Sequence, residues 1–408
     1  MSDARDIVIV GGGLAGAKTA EALRDKGFDG AVTIVSTEEH RPYERPPLSK
    51  GLLLGKEQRE SVFVHDADWY AGHRVELRLG TPVTAIDRSA REVRLEDGSS
   101  IGYDRLALAT GSSPRRLPVP GADAKGVHVL RTLEDSEALS AMFGTAQRLV
   151  VIGAGWIGLE VTAAARAAGL SVVVVESAIL PLLRVLGPEV AAIFAALHAD
   201  NGVDLRFGAS LTEITTRDGA ATGVRLADGN EIDADAVLVG IGAAPNIELA
   251  REAGLTVDDG VLTDASLLTD DPNIVALGDI AQAEHPVLGR RIRVEHWANA
   301  LNQGAVAAAT MLGEHAVYDR LPYFFTDQYD LGMEYVGYVE PGGYDEVVFR
   351  GDPAVRELVA FWLKDGRVLA GMNVNVWDVG DDIKALVGGG RSVDAARLGD
   401  LSIALSDV

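Results

Sequence analysis

Residues 6–35 read DIVIVGGGLAGAKTAEALRDKGFDGAVTIV, and residues 148–175 read RLVVIGAGWIGLEVTAAARAAGLSVVVV. An offset of 142 lays Gly11 on Gly153, Gly13 on Gly155, Gly16 on Gly158 and Gly27 on Gly169. Each copy runs from an apolar segment through a glycine turn, an Ala-rich segment and a lone glycine to a second apolar segment. That order predicts a buried strand, a helix stopped by glycine, and a second buried strand. Uninterrupted β-branched runs such as Val172 to Val175 suit parallel strands covered on both faces. The expected fold class is therefore α/β, with two Rossmann-like dinucleotide-binding units rather than one.

The glycine spacing carries chemistry. In Gly11-x-Gly13-x-x-Gly16 the first glycine permits the tight turn and the second lets the backbone approach a pyrophosphate. The third lets the helix pack on the strand. The helix N-terminus then presents backbone N–H groups to the anion, so Leu14 and Ala15 join the glycines as candidate contacts. Gly153, Gly155, Trp156, Ile157 and Gly158 repeat the arrangement. One such loop is weak evidence of a ligand; two in matched context are strong.

The acid that ends the second strand differs between the copies. Glu176 directly follows Val172–Val175, where its carboxylate can accept both ribose hydroxyls and repel a 2′-phosphate. The second copy should thus prefer NADH to NADPH. In the first copy Ser36 takes that place, and Glu38 is the acid assigned to the ribose. Two nucleotides imply two kinds of tenant: a resident FAD in the first copy and an exchangeable nicotinamide in the second.

Outward from the repeat, residues 75–108 and 203–240 alternate in the manner of strands, with turns at Asp97-Gly98 and Asp228-Gly229. They follow the two copies in equivalent places, so the duplication extends past the glycine loops. Pro114, Pro118 and Pro120 mark one linker and Pro245 another. After Pro322, runs at 332–339, 344–350, 356–363 and 367–376 predict an antiparallel sheet, followed by short helices at 381–387 and 393–398.

The 408 residues are enough for two or three domains. The net charge of −23 argues against nucleic acid and against an anionic membrane surface as partners. No apolar run reaches the length of a membrane span, and Met1–Arg5 leads straight into the first strand. The location expected is cytoplasmic. With no cysteine there is no thiolate nucleophile, no disulfide and no cysteine-held metal, and no metal site is expected.

Further motifs complete a resemblance. They are Arg41-Pro42-Tyr43-Glu44-Arg45-Pro46-Pro47-Leu48-Ser49-Lys50, Ala109-Thr110-Gly111, Gly240-Ile241-Gly242 with Pro245-Asn246, and Leu277-Gly278-Asp279. Glu295-His296-Trp297 and Phe325-Thr326-Asp327-Gln328-Tyr329-Asp330 follow. In this order and spacing the chain resembles the FAD-dependent NADH:ferredoxin reductases of the putidaredoxin reductase type, which include reductase components of oxygenase systems. The resemblance implies an FAD-binding domain (1–112 and 244–322) interrupted by an NAD(H)-binding domain (113–243). A C-terminal α+β interface domain with an antiparallel sheet (323–408) completes it.

It also implies residue roles. Asp279 resembles the acid that accepts a hydrogen bond from the flavin ribityl chain. Thr110-Gly111 looks like the crossover between domains. Arg45, Pro46, Ala109, Gly242, Gly278, Glu295, His296 and Trp297 stand at cofactor-binding positions, with Trp297 near the flavin edge that faces the partner. Lys50 and Glu160 stand where a Lys and a Glu pair beside flavin N5, Glu160 being expected on the first turn of its helix. A cation there would stabilise the charge that develops on reduced flavin. Trp156 stands where related disulfide reductases carry an aromatic gate over the nicotinamide, with simple packing as the alternative.

The missing cysteine discriminates within such proteins. Disulfide reductases need a redox-active pair and NADH peroxidases at least one cysteine. Electrons must leave directly from the flavin, which accepts a hydride as two electrons and can release them singly. The partner expected is an acidic 2Fe–2S ferredoxin, docking near Arg290, Arg291, Arg293 and Trp297, with Arg41 and Arg45 close by. Other readings are a rubredoxin reductase, a small-molecule one-electron reductase resembling monodehydroascorbate reductase, and an NADH-binding flavoprotein resembling apoptosis-inducing factor.

Overall fold

Both glycine-marked copies form the βαβ unit that the spacing predicts. The computed structural model describes residues 4–408. In it Asp6–Val10 pairs in parallel with Ala31–Val35 across the helix Leu14–Asp25. Arg148–Ile152 pairs in the same way with Ser171–Glu176 across the helix Trp156–Ala167. The central strands are buried throughout, Ile7 to Val10 and Leu149 to Ile152 alike, which is why their sequences do not alternate.

The chain forms two compact units. One comprises Met1–Arg45, Arg59–Ser113 and Ala244–Pro322; the other comprises Pro46–Gln58, Pro114–Ala243 and Tyr323–Val408. In the first, a five-stranded parallel sheet runs in the order Ile274–Ala276, Arg105–Leu108, Asp6–Val10, Ala31–Val35, Val75–Arg78. The Trp297–Met311 helix packs beside Leu14–Asp25, where Ala20, Leu23, Ala307, Ala308 and Met311 share one apolar cluster. A three-stranded antiparallel sheet, Val83–Asp87, Glu92–Leu95 and Ser100–Gly102, lies between the third and fourth parallel strands in sequence.

The second unit repeats this plan. Its parallel sheet runs Val127–His128, Ala236–Val239, Arg148–Ile152, Ser171–Glu176, Asp204–Phe207. It carries its own antiparallel insertion, Leu211–Arg217, Ala220–Leu226 and Glu231–Asp233. The duplication therefore extends to strand order. In their parallel sheets the copies differ only in where the outermost strand next to Ala236–Val239 or Arg105–Leu108 comes from: ahead of the repeat in the second, far behind it in the first.

The C-terminal sheet is antiparallel, in the order Tyr323–Gln328, Leu331–Gly337, Arg367–Val374, Glu357–Lys364, Glu346–Asp352. Helices Gly380–Gly389 and Ala395–Gly399 follow. Four of the strands match the predicted runs. The fifth, Tyr323–Gln328, does not show in the hydropathy pattern because its buried positions are the polar Thr326 and Gln328. Residues 46–58 pack within this second unit: Ser136 Oγ donates to the Leu48 carbonyl at 2.8 Å. Among the described residues, no helix is long and apolar enough to cross a membrane.

Candidate functional site

The first glycine loop is built by close backbone approach. Gly11 adopts φ +130°, and a Cβ on it would stand 2.0 Å from the Ala109 carbonyl oxygen. A Cβ on Gly16 would stand 2.2 Å from the Gly11 carbonyl oxygen, and one on Gly158 an equal distance from that of Gly153. Gly13 and Gly155 are different. A Cβ there would meet nothing within 4 Å, so the glycine leaves open space at the mouth of the helix. Neither helix has a side-chain N-cap. Two open cradles, each at an uncapped helix N-terminus carrying partial positive charge, fit two pyrophosphates. Leu14 and Ala15, and Trp156 and Ile157, begin the respective helices.

Around the first loop, Glu38 is not left as a bare carboxylate. Arg45 Nη2 donates to its Oε1 at 2.8 Å and Tyr43 Oη donates to Oε2. The Arg45 guanidinium also lies 5.1 Å from the centre of the Tyr43 ring. Ser36, at the end of the second strand, packs beneath Gly12 and its Oγ accepts the Glu38 N–H at 3.2 Å. Thr110 and Asn246 lock the chain together, Thr110 Oγ1 donating to the Asn246 carbonyl (2.6 Å) and Asn246 Nδ2 to that of Thr110 (2.9 Å). Gly111 adopts φ +67°, which suits a crossover.

Asp279 lies in a single 3-10 turn, Gly278–Ile280, where Ser112 Oγ donates to its Oδ2 at 2.5 Å. Gln303 Oε1 accepts the Gly278 N–H at 2.7 Å. His296 caps the Trp297–Met311 helix by position. Burial drives its imidazole down to about 4, against the opposing pull of Asp279, so the ring is neutral at pH 7. Trp297 Nε1 donates to Glu44 at 3.0 Å. Glu295 pairs with Arg293, which also reaches Asp259 (3.0 Å) and the Asp279 carbonyl (3.2 Å). Arg291 pairs with Glu284 at 2.6 Å, and Arg290 is exposed on the same strand, Arg290–Arg293.

In the second unit Glu176 ends its strand as expected. Its carboxylate accepts the Ala154 N–H and the Ala178 N–H, each at 2.8 Å. Trp156 is half-buried, its ring 5.0 Å from Phe324 and 5.6 Å from Phe194. Gly242 has φ +96°.

Lys50 and Glu160, 110 residues apart, form an ion pair. Glu160 is the fifth residue of the Trp156–Ala167 helix, so it sits on the second turn, not the first. That depth buries it to 6% exposure. Its carboxylate is met by three donors: Lys50 Nζ and Thr326 Oγ1 (2.5 Å) on Oε1, and Ser49 Oγ on Oε2. A buried carboxylate needs such partners, since an unpaired one costs several kcal/mol. Lys50 Nζ also lies 5.7 Å from the centre of the Phe325 ring. Ser49 and Thr326 lie inside the quoted motifs but carry no charge, so their residue types alone assign them no role. Ser112 and Gln303, equally uncharged, lie outside those motifs. The one signal for Gln303 is a polar residue on the apolar stripe of an Ala-rich helix.

Two parallel-sheet units with paired glycine cradles, and an ion pair near one of them, define a two-dinucleotide-fold oxidoreductase. The pyridine nucleotide-disulphide oxidoreductase family model matches residues 5–304, and the reductase C-terminal model matches 323–408. The chain belongs to the pyridine nucleotide-disulphide oxidoreductase family, and that family implies FAD and NAD(H) as cofactors. It is 42% identical to the ferredoxin--NAD(+) reductase component of the anthranilate 1,2-dioxygenase system of Burkholderia cepacia, covering 98% of each chain. It is 40% identical to putidaredoxin reductase of Pseudomonas putida, covering 99% of this chain and 96% of that one. The reductase in the crystal structure of the covalent putidaredoxin reductase–putidaredoxin complex superposes with a TM-score of 0.95. That match, at 40% identity, covers 99% of this chain and 98% of the other.

Proposed function

We propose that this protein is an FAD-dependent NADH:ferredoxin oxidoreductase, passing electrons from NADH to an external 2Fe–2S ferredoxin that feeds a cytochrome monooxygenase or a ring-hydroxylating dioxygenase. The observation that carries this reading is the absence of any cysteine in a member of a disulphide oxidoreductase family. The chain has no thiol to receive the electrons, so they must go to an outside acceptor. The similarity to ferredoxin reductases of oxygenase systems supports the identity of that acceptor. Bound FAD would supply the conversion from a two-electron donor to a one-electron acceptor.

The chain's own residues divide the remaining tasks. Gly11, Gly13 and Gly16 with Asp279 hold FAD; Gly153, Gly155, Gly158 and Glu176 hold NADH. Lys50 provides a fixed positive charge for the negative charge that accompanies reduction, and Glu160 keeps it in place. The domain division in this reading is 1–112 with 244–322 for FAD, 113–243 for NAD(H) and 323–408 for the interface. Arg290, Arg291 and Arg293 with Trp297 form the docking face for an acidic ferredoxin, and a cytoplasmic location supplies the NADH.

The test is NADH-dependent reduction of cytochrome c by the FAD-loaded protein, with and without a purified 2Fe–2S ferredoxin. A rate that rises at least tenfold on adding ferredoxin, and falls as salt rises, is the expected result. Equal rates with and without ferredoxin would overturn the proposal.

A further inference from the structure

Behind the Lys50–Glu160 pair lies a run of buried polar side chains that the cofactor sites do not use. Gln328 Nε2 lies 3.3 Å from Thr326 Oγ1. Gln328 Oε1 lies 2.9 Å from His198 Nε2. His198 Nδ1 lies 3.3 Å from the Tyr329 hydroxyl. Thr326, Gln328 and His198 are each at most 1% exposed. His198 comes from the end of the Leu183–Asp200 helix and the others from Tyr323–Gln328 and the turn after it.

The donor and acceptor inventory gives this run one direction. Glu160 is a carboxylate bonded to Lys50, so it only accepts, and Thr326 must spend its single hydroxyl proton on it. Thr326 can then only accept from Gln328, which fixes the amide with nitrogen toward Thr326 and oxygen toward His198. The amide oxygen only accepts, so His198 carries its proton on Nε2. Its Nδ1 is left to accept from Tyr329. Every group is satisfied in that arrangement and in no reversed one.

We propose that Thr326, Gln328 and His198 are positioning residues for the Lys50–Glu160 pair, forming a one-way hydrogen-bond chain that fixes the carboxylate and, through it, the ammonium. Two arguments separate this from plain packing. Strand positions facing a core are filled at least as stably by apolar residues, since buried polar networks seldom add net stability. Here the two fully buried positions of Tyr323–Gln328 are polar, and the chain they begin ends on the charge pair. The amide of Gln328 is a poor proton carrier, so the chain holds a geometry rather than relaying protons. Burial keeps His198 neutral, pushing its pKa to about 4, as the chain requires.

The inference rests on the reading that Lys50 serves electron transfer at FAD, and the experiment separates the two. Thr326→Val removes the hydroxyl at nearly constant shape, Thr326→Ser restores it, and Lys50→Met removes the cation. The readouts are the stopped-flow rate of flavin reduction by NADH and the midpoint potential of the bound FAD. A third, independent of turnover, is the 15N spectrum of the histidines in the FAD-loaded protein. We expect Lys50→Met and Thr326→Val each to slow reduction, Thr326→Val by roughly tenfold, the effect of losing one hydrogen bond to a charged group. Both should lower the FAD potential, and Thr326→Ser should recover most of both losses. The double variant should be no slower than Lys50→Met alone, because the residues act as a unit. The His198 ring should be the Nε2–H tautomer. Unchanged behaviour of Lys50→Met would overturn the electron-transfer role. A normal Lys50→Met defect with an unchanged Thr326→Val, or a His198 protonated on Nδ1, would overturn the positioning chain alone.

Discussion

Glu176 is a residue whose place at the strand end was legible from the four valines before it. The structure adds that its carboxylate is anchored by two backbone N–H groups, from Ala154 in the glycine loop and Ala178 beyond the strand. An anchored carboxylate can accept ribose hydroxyls and repel a phosphate without first paying to be ordered. Glu176→Ala should therefore lower kcat/KM for NADH roughly tenfold, with little loss for NADPH, so that the preference between them narrows. Steady-state kinetics with both nucleotides checks it; an unchanged ratio would remove Glu176 from nucleotide selection. Glu38 was legible only as the nearest acid. Its pairing with Arg45 and Tyr43 depends on how residues 36–45 turn, which no periodicity reports. Ser49, Ser112 and Thr326 were invisible as site residues. A hydroxyl is common everywhere, and only its neighbour in space gives it a purpose.

At the scale of elements, the two βαβ units were readable because burial on both faces leaves an unbroken apolar run. The Tyr323–Gln328 strand hid because its two fully buried positions are polar. The Leu183–Asp200 helix hid a kink: Gly187 is non-helical (φ 75°, ψ 169°) and Pro188 follows it. Proline cannot donate to the carbonyl four residues back, that of Arg184, and at the kink the Leu186 carbonyl accepts from Trp362 Nε1 at 3.0 Å. The Leu14–Asp25 and Trp297–Met311 helices approach backbone to backbone at Gly304. A Cβ there would stand 2.6 Å from the Lys18 carbonyl carbon. Gly304→Ala should separate the helices and destabilise the first unit by about 1–3 kcal/mol, the usual cost of overpacking. Thermal denaturation should show a lower Tm despite alanine's better helix propensity. A raised Tm would show that the helices have slack.

For the molecule as a whole, acid is the revealing condition. His198 is fully buried and held near pKa 4, whereas an unfolded histidine titrates near 6.5. Between those values the unfolded chain binds a proton that the native chain refuses. This contribution is complete above pH 6.5 and is lost as pH falls toward 4, reaching about 3 kcal/mol. Denaturation midpoints from pH 7 to 4.5 should fall steeply, and His198→Gln should flatten part of that slope. An equal slope in the variant would assign the acid sensitivity elsewhere, for example to the many ion-paired carboxylates. The same buried histidine illustrates what was and was not open to reading. The primary structure by itself determined the duplicated dinucleotide fold, the turns, the two phosphate cradles and the exclusion of thiol chemistry. Those depend on local spacing, on backbone space that only glycine provides, and on a residue type being absent. Tertiary structure alone decided that residues 46–58 pack in the second unit, that Lys50 meets Glu160 across 110 positions, and that Thr326, Gln328 and His198 stand in line behind them. Such contacts are set by how sheets and helices close on one another, and a buried polar group takes whichever partner that closure leaves within reach.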